Sequence, residues 1–187
     1  MQDVFDASSK DNHTFQKKGV QPDAVQPLDA DTVVAELLSK DYVTRGVAIG
    51  GSIYTIKTFT GIEYSMFTRL FNHRLDSFTS TPRAVLVEQL RTECMLPFIL
   101  KEKDGQPISP VTDELKNAWV QIDTTGKCNY LDRTFTDTRE FFKEVYSSFV
   151  ATKLHNLPTV VVGILAEEYN ALIKEVESLL RGDNLKN

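Results

Sequence analysis

Cysteine, histidine, methionine and tryptophan are all scarce in this chain, at two, three, three and one in 187 residues. Each scarcity excludes something. Cys94 and Cys128 stand far apart in sequence, and a chain of this length needs no disulfide to fold, which points to a reduced setting. His13, His73 and His155 are dispersed, with no cysteine or carboxylate at metal-ligand spacing, so no metal is expected. Long apolar runs are also missing: MQDVFDASSKDNHTFQKK at the start lacks the apolar core of a signal peptide, and no run is of membrane-spanning length. A soluble, non-exported protein without membrane contact is expected. Lys and Arg number 21 against 26 Asp and Glu, a net charge of -5 with the signs interspersed, so there is no basic stripe to neutralise phosphates. Nucleic-acid binding is disfavoured.

Catalytic signatures are absent in the same way. TTGKC (124–128) resembles the end of a phosphate-binding loop, but the first glycine would fall at Gln121, and Cys128 replaces the magnesium-binding hydroxyl. GVAIGGS (46–52) is rich in glycine yet precedes a strand instead of opening a helix, so a turn explains it better than a nucleotide. Ser52, Ser65 and Ser147 lack a nucleophile-elbow context, and Cys94 reads as a small core residue. No catalytic residue, cofactor or small-molecule substrate is expected. An enzyme whose site is dispersed along the chain is the alternative from another class.

What is present is an apolar fraction of 41%, enough for one sizeable core. The composition divides near residue 30. Residues 1–30 are polar, contain Pro22 and Pro27, and offer scattered anchors including Val4, Phe5 and Phe15. They read as an extended or disordered N-terminal arm, or as one that orders on a partner. Residues 31–187 read as a single α+β, mainly helical domain with a β-hairpin.

The spacing predicts the following elements. Asp31 caps a helix whose face carries Val34, Leu37 and Leu38. Val47 and Ile49, then Ile53 and Ile56, form a hairpin around Gly50-Gly51 in a tight primed turn. Thr60 and Glu63 make a capping box for a helix lined by Ile62, Met66, Phe67, Leu70 and Phe71. Thr81 and Pro82 start the next helix, which carries Leu86, Val87, Leu90 and Cys94 and stops at Pro97. Asp104-Gly105 marks a turn. Trp119, Val120 and Ile122 have strand character. Asp137 and Glu140 open a helix with Phe141, Phe142, Val145, Tyr146, Phe149 and Val150 on one side. The last helix starts at Pro158, closes near Gly182, and carries Glu167, Lys174, Glu175, Glu177 and Arg181 on a solvated face.

The stretch VAIGGSIYTIKTFTGIEYSMFTRL, a glycine-turn hairpin leading into an acid-and-aromatic helix start, resembles the opening of bacteriophage tail assembly chaperones and the related baseplate assembly proteins. LPFILKEKDGQPI and LPTVVVGILAEEYNALIKEVESLL are similar in kind to the helical remainder of such proteins, so the resemblance spans roughly residues 43–181. It implies a non-enzymatic tail morphogenesis protein that binds other phage tail or baseplate proteins, in the host cytoplasm during assembly. A minor structural component of the virion baseplate or tail hub, retained in the tail, is the alternative. The arm departs from the pattern and suits a particle component at least as well. The expected partner contacts are Val4, Phe5 and Phe15 on the arm, and Ile53, Tyr54 and Ile56 on the hairpin. The hairpin is either an edge for a partner strand or a cover over the helical core. A proline at Thr55 or Thr58 is the substitution expected to separate these two roles.

Overall fold

Asp29, not Asp31, begins the first helix. Its extended backbone lets the carboxylate accept the Thr32 amide at 2.8 Å, which places Asp31 inside the first turn of α1 (Ala30–Lys40). The computed structural model describes residues 28–182 apart from 79 and 82. Val4, Phe5 and Phe15 lie outside the described residues. Only Val33 of α1 is buried; Val34 and Leu38 are exposed, against the stripe expected there, because α1 rests on the body at one line of contact with the last helix.

The hairpin forms as expected. β1 (Thr44–Ile49) and β2 (Ser52–Lys57) pair from Thr44↔Lys57 to Ile49↔Ser52, and Gly50 and Gly51 take φ of 59° and 85°, the positive values that a primed turn requires. It is half of a larger antiparallel sheet in the order β1-β2-β3-β4, with β3 at Leu100–Lys103 and β4 at Gln106–Pro107 joined through Asp104-Gly105. Ile53 and Ile56 do not share a face. The pleat has a period of two, so Arg45, Val47, Tyr54 and Ile56 turn inward, while Gly46, Ala48 and Ile53 turn outward.

α2 (Gly61–Leu75) starts with the predicted capping box. The Glu63 amide donates to the Thr60 hydroxyl, and the Thr60 amide donates to the Glu63 carboxylate. Thr60→Ala is expected to cost about 1 kcal/mol, read as a lower urea midpoint. An unchanged midpoint would show that tertiary packing alone fixes this helix start.

α3 runs from Ala84 to Ile99, with Arg83 at the cap position and no side-chain cap, so the predicted start at Thr81 is replaced by a later one. Pro97 does not end it. A proline here removes its own donor and crowds the carbonyl four residues back, and the helix continues only two residues to Ile99 before the chain passes into β3 at Leu100. Residues 119–122 are not a strand. Thr112 caps α4 (Asp113–Thr125), Asp113 and Glu114 fill its first turn, and Leu115, Ala118, Trp119 and Ile122 are buried at helical spacing before Gly126 closes it at φ 70°. The β-branched and aromatic residues around Trp119 have strand propensity, but burial of one helical face overrides it.

A second hairpin, β5 (Cys128–Tyr130) and β6 (Arg133–Phe135), leads to α5 (Thr138–Val150), where Asp137 caps by accepting the Arg139 amide. After a 3-10 turn at Lys153–Asn156, α6 (Thr159–Arg181) begins behind Pro158 and ends at Gly182 with φ 71°, as expected. The result is α+β and mainly helical, with α6 lying against β1, β2, α1 and α3. The buried side chains form one hydrophobic cluster, including the α5 stripe of Phe141, Phe142, Val145 and Phe149. None of the described helices is long and apolar enough to cross a membrane.

Candidate interaction site

The register of the first hairpin decides which backbone groups are free. A two-residue turn makes Ile49 and Ser52 a hydrogen-bonded pair, so Val47↔Tyr54 and Arg45↔Ile56 also exchange bonds, and the Thr58 amide continues the ladder to the Val43 carbonyl at 2.9 Å. Thr44, Gly46 and Ala48 therefore aim their amides and carbonyls outward. The Thr44 amide is taken by Glu36 of α1 at 2.8 Å. Gly46 and Ala48 remain on an exposed edge against which no described strand pairs. The opposite edge is different: β4 is two residues long and carries Pro107, features that blunt strand addition.

Among the hairpin residues expected to meet a partner, Ile53 is 58% exposed and sits on the open face beside Ala48. Tyr54 and Ile56 are core residues, 4% and 0% exposed, and are not available on the surface of this fold. Thr55 and Thr58 are likewise committed internally. Thr55 faces Glu102 of β3, and the Thr58 amide serves the Val43 carbonyl. A proline at either would damage the sheet itself, so neither can separate binding from stability.

Two charge clusters lock the hairpin to the helices. Arg45 of β1, 7% exposed at its side chain, pairs with Glu175 of α6, with Glu168 at 3.9 Å. Glu175 also accepts the Leu28 amide at 2.9 Å, so it is a structural partner and not part of a solvated face. Glu167, Lys174, Glu177 and Arg181 are exposed, as expected of that face. One rung from the Arg45↔Ile56 pair, Lys57 pairs with Glu63, which is 1% exposed; the Lys57 ammonium is stacked 4.9 Å from the Tyr42 ring, and Glu63 also pairs with Lys116 at 3.0 Å. Burial alone would raise the Glu63 pKa, but the Lys57 bond and charge, the Thr60 amide and Lys116 outweigh it and hold the carboxyl below its ordinary value. Burial pulls the Lys57 ammonium below its usual range in spite of Glu63.

A groove of about 460 Å³ opens where α3, α5 and α6 converge. Leu96, Phe149, Leu154 and Val162 give it apolar walls, and Gln89, Thr92, Glu93 and Tyr146 give it a polar rim. The Arg74 guanidinium stacks on the Tyr146 ring at 4.1 Å. Val85 and Leu86, 78% and 46% exposed, are surface apolar groups on α3, although the sequence suggested that Leu86 turns inward. Their spacing is right for a core stripe, but residues 84–89 are exposed apart from half-buried Val87.

The Cys94 thiol in the groove wall is pushed up to about 12 by burial, and the Cys128 thiol is also raised by burial. The His73 pKa is lowered by burial and by Arg74 and Arg139, with its ring 5.8 Å from that of Phe142. Among the described residues no three His, Cys, Asp or Glu side chains are placed to hold a metal ion. Sequence periodicity could find the hairpin, but the groove needs three helices from distant parts of the chain. Comparison with protein-family models, with curated proteins and with solved structures yields no match.

Proposed function

We propose that the chain is a non-enzymatic phage tail morphogenesis protein of the tail-assembly-chaperone kind, binding tail or baseplate proteins by accepting a strand on the free edge of β1. The observation that carries this is the exposed edge at Gly46 and Ala48, which has outward amides and carbonyls and no charged or proline side chain to obstruct it. Ile53 beside it supplies an apolar contact for alternate side chains of an added strand. The sequence resemblance to tail assembly chaperones supplies the biological setting.

Ala48→Pro tests it, because it removes an outward donor while sparing the ladder to β2. The variant is expected to lose co-purification with tail or baseplate proteins from infected cells while keeping its Tm within a few degrees. Val47→Pro, which removes an inward donor, is expected to lower Tm and binding together. Retained binding by Ala48→Pro would refute strand addition at this edge. Recovery of no tail or baseplate protein by the wild type would refute the tail assignment itself. Mass spectrometry of purified virions then separates an assembly factor, absent from particles, from a fixed-copy component of the tail.

A further inference from the structure

We propose that the free edge of β1 is a latent self-pairing surface, and that Glu36 of α1 is the latch that keeps it from pairing with the β1 edge of a second copy. The proposal rests on the free-edge reading above and makes no use of the tail assignment. α1 reaches the edge with one side chain. The Glu36 carboxylate, 17% exposed, accepts the Thr44 amide at 2.8 Å and the Thr44 hydroxyl at 3.0 Å, and Lys40 holds it in place at 2.9 Å. It stands where the carbonyl of a neighbouring strand would stand. Thr44 is thereby withdrawn from the outward donors of β1, and Gly46 and Ala48 are left.

The strand is complementary to itself. Two β1 edges joined antiparallel about a two-fold axis at Gly46 set Gly46 against Gly46, and Thr44 against Ala48 on either side, as pairs that exchange both backbone bonds. Arg45 then falls opposite Val47 of the other copy, so no like charges meet, and the outward face brings together only threonine, glycine and alanine. An axis at Ala48 would set Gly46 against Gly50, which is already in the turn. With Glu36 on Thr44, both Thr44↔Ala48 pairs are lost and only the central pair survives. The latch can open. α1 fully buries only Val33, whereas each of the other α-helices buries four or more side chains, so α1 is the helix that lifts from the body at least cost.

Sedimentation equilibrium of the full-length protein tests this, comparing wild type, Glu36→Ala, Glu36→Gln and Glu36→Ala combined with Ala48→Pro. Alanine keeps α1 helical and frees the Thr44 amide, which hydrogen exchange in the dilute monomer reads directly. Glu36→Ala is expected to self-associate at least about tenfold more tightly than wild type, because the bonds of both Thr44↔Ala48 pairs become available. Glu36→Gln, whose side-chain carbonyl still accepts the Thr44 amide, should stay at the wild-type value, and Ala48→Pro should cancel the gain. Unchanged exchange at Thr44 in Glu36→Ala, or faster exchange without tighter association, would overturn the proposal. So would a gain that survives Ala48→Pro, which places the contact elsewhere, or one that Glu36→Gln reproduces, which makes charge and not the hydrogen bond the barrier. Failure of the latch leaves the co-purification of tail or baseplate proteins untouched, so the two readings fail separately.

Discussion

Glu63→Ala is expected to destabilise the fold by about 3 to 5 kcal/mol, because it strands the Lys57 ammonium in a site that is 7% exposed and opens the α2 capping box at the same time. The double variant Lys57→Met with Glu63→Met should cost far less than Glu63→Ala, since a buried ion pair replaced by apolar side chains leaves no uncompensated charge. Urea midpoints for wild type, Glu63→Ala and the double variant measure this directly. A loss below about 1 kcal/mol for Glu63→Ala would show that solvent reaches Lys57 freely. The same cluster sets a pH dependence. Because the folded pKa of Glu63 lies below the ordinary value of 4.5, the native state binds this proton more weakly than the unfolded chain. Its contribution is complete above that ordinary value and is lost as pH falls through the lowered native one. Acid destabilisation should therefore be shallower in the double variant than in the wild type.

Phe141→Ala is the second large effect, expected to cost about 3 to 5 kcal/mol. Phe141 is 0% exposed, and its ring lies 5.7 Å from that of Phe135, 5.9 Å from Tyr130, 6.0 Å from Phe142 and 6.3 Å from Trp119. It joins α5 to α4 and to the second hairpin, so truncation leaves a cavity that three separate elements would have to collapse to fill. In a chain of this size the loss corresponds to a Tm drop on the order of 10 °C. Val150→Ala, at an exposed position of the same helix, should stay within about 0.5 kcal/mol. Equal effects of the two substitutions would mean that the aromatic cluster does not carry the packing of this end of the molecule.

The sequence by itself determined the features whose causes are local. Gly50 and Gly51 set the primed turn because only a residue without a Cβ takes those positive φ values cheaply. Thr60 and Glu63 set the start of α2 because each side chain reaches the other's amide across three residues. The α5 stripe from Phe141 to Phe149 and the span of α6 followed from helical spacing, although Val150, expected on that stripe, is exposed, and the α+β, mainly helical class followed from these pieces. Tertiary structure decided the rest. Residues 119–122 have strand-forming side chains, yet burial of Leu115, Ala118, Trp119 and Ile122 on one face makes them helix. Tyr54 and Ile56 looked available until β3 paired outside β2 and α6 closed over the inner face. The free edge lies on β1 because pairing beyond the hairpin is a long-range event, and no local pattern states which side of a two-stranded unit will be covered. Glu175 read as solvated until the fold brought Arg45, 130 residues away in sequence, against it. Burial and charge pairing across such distances depend on how the elements pack, which local spacing cannot encode.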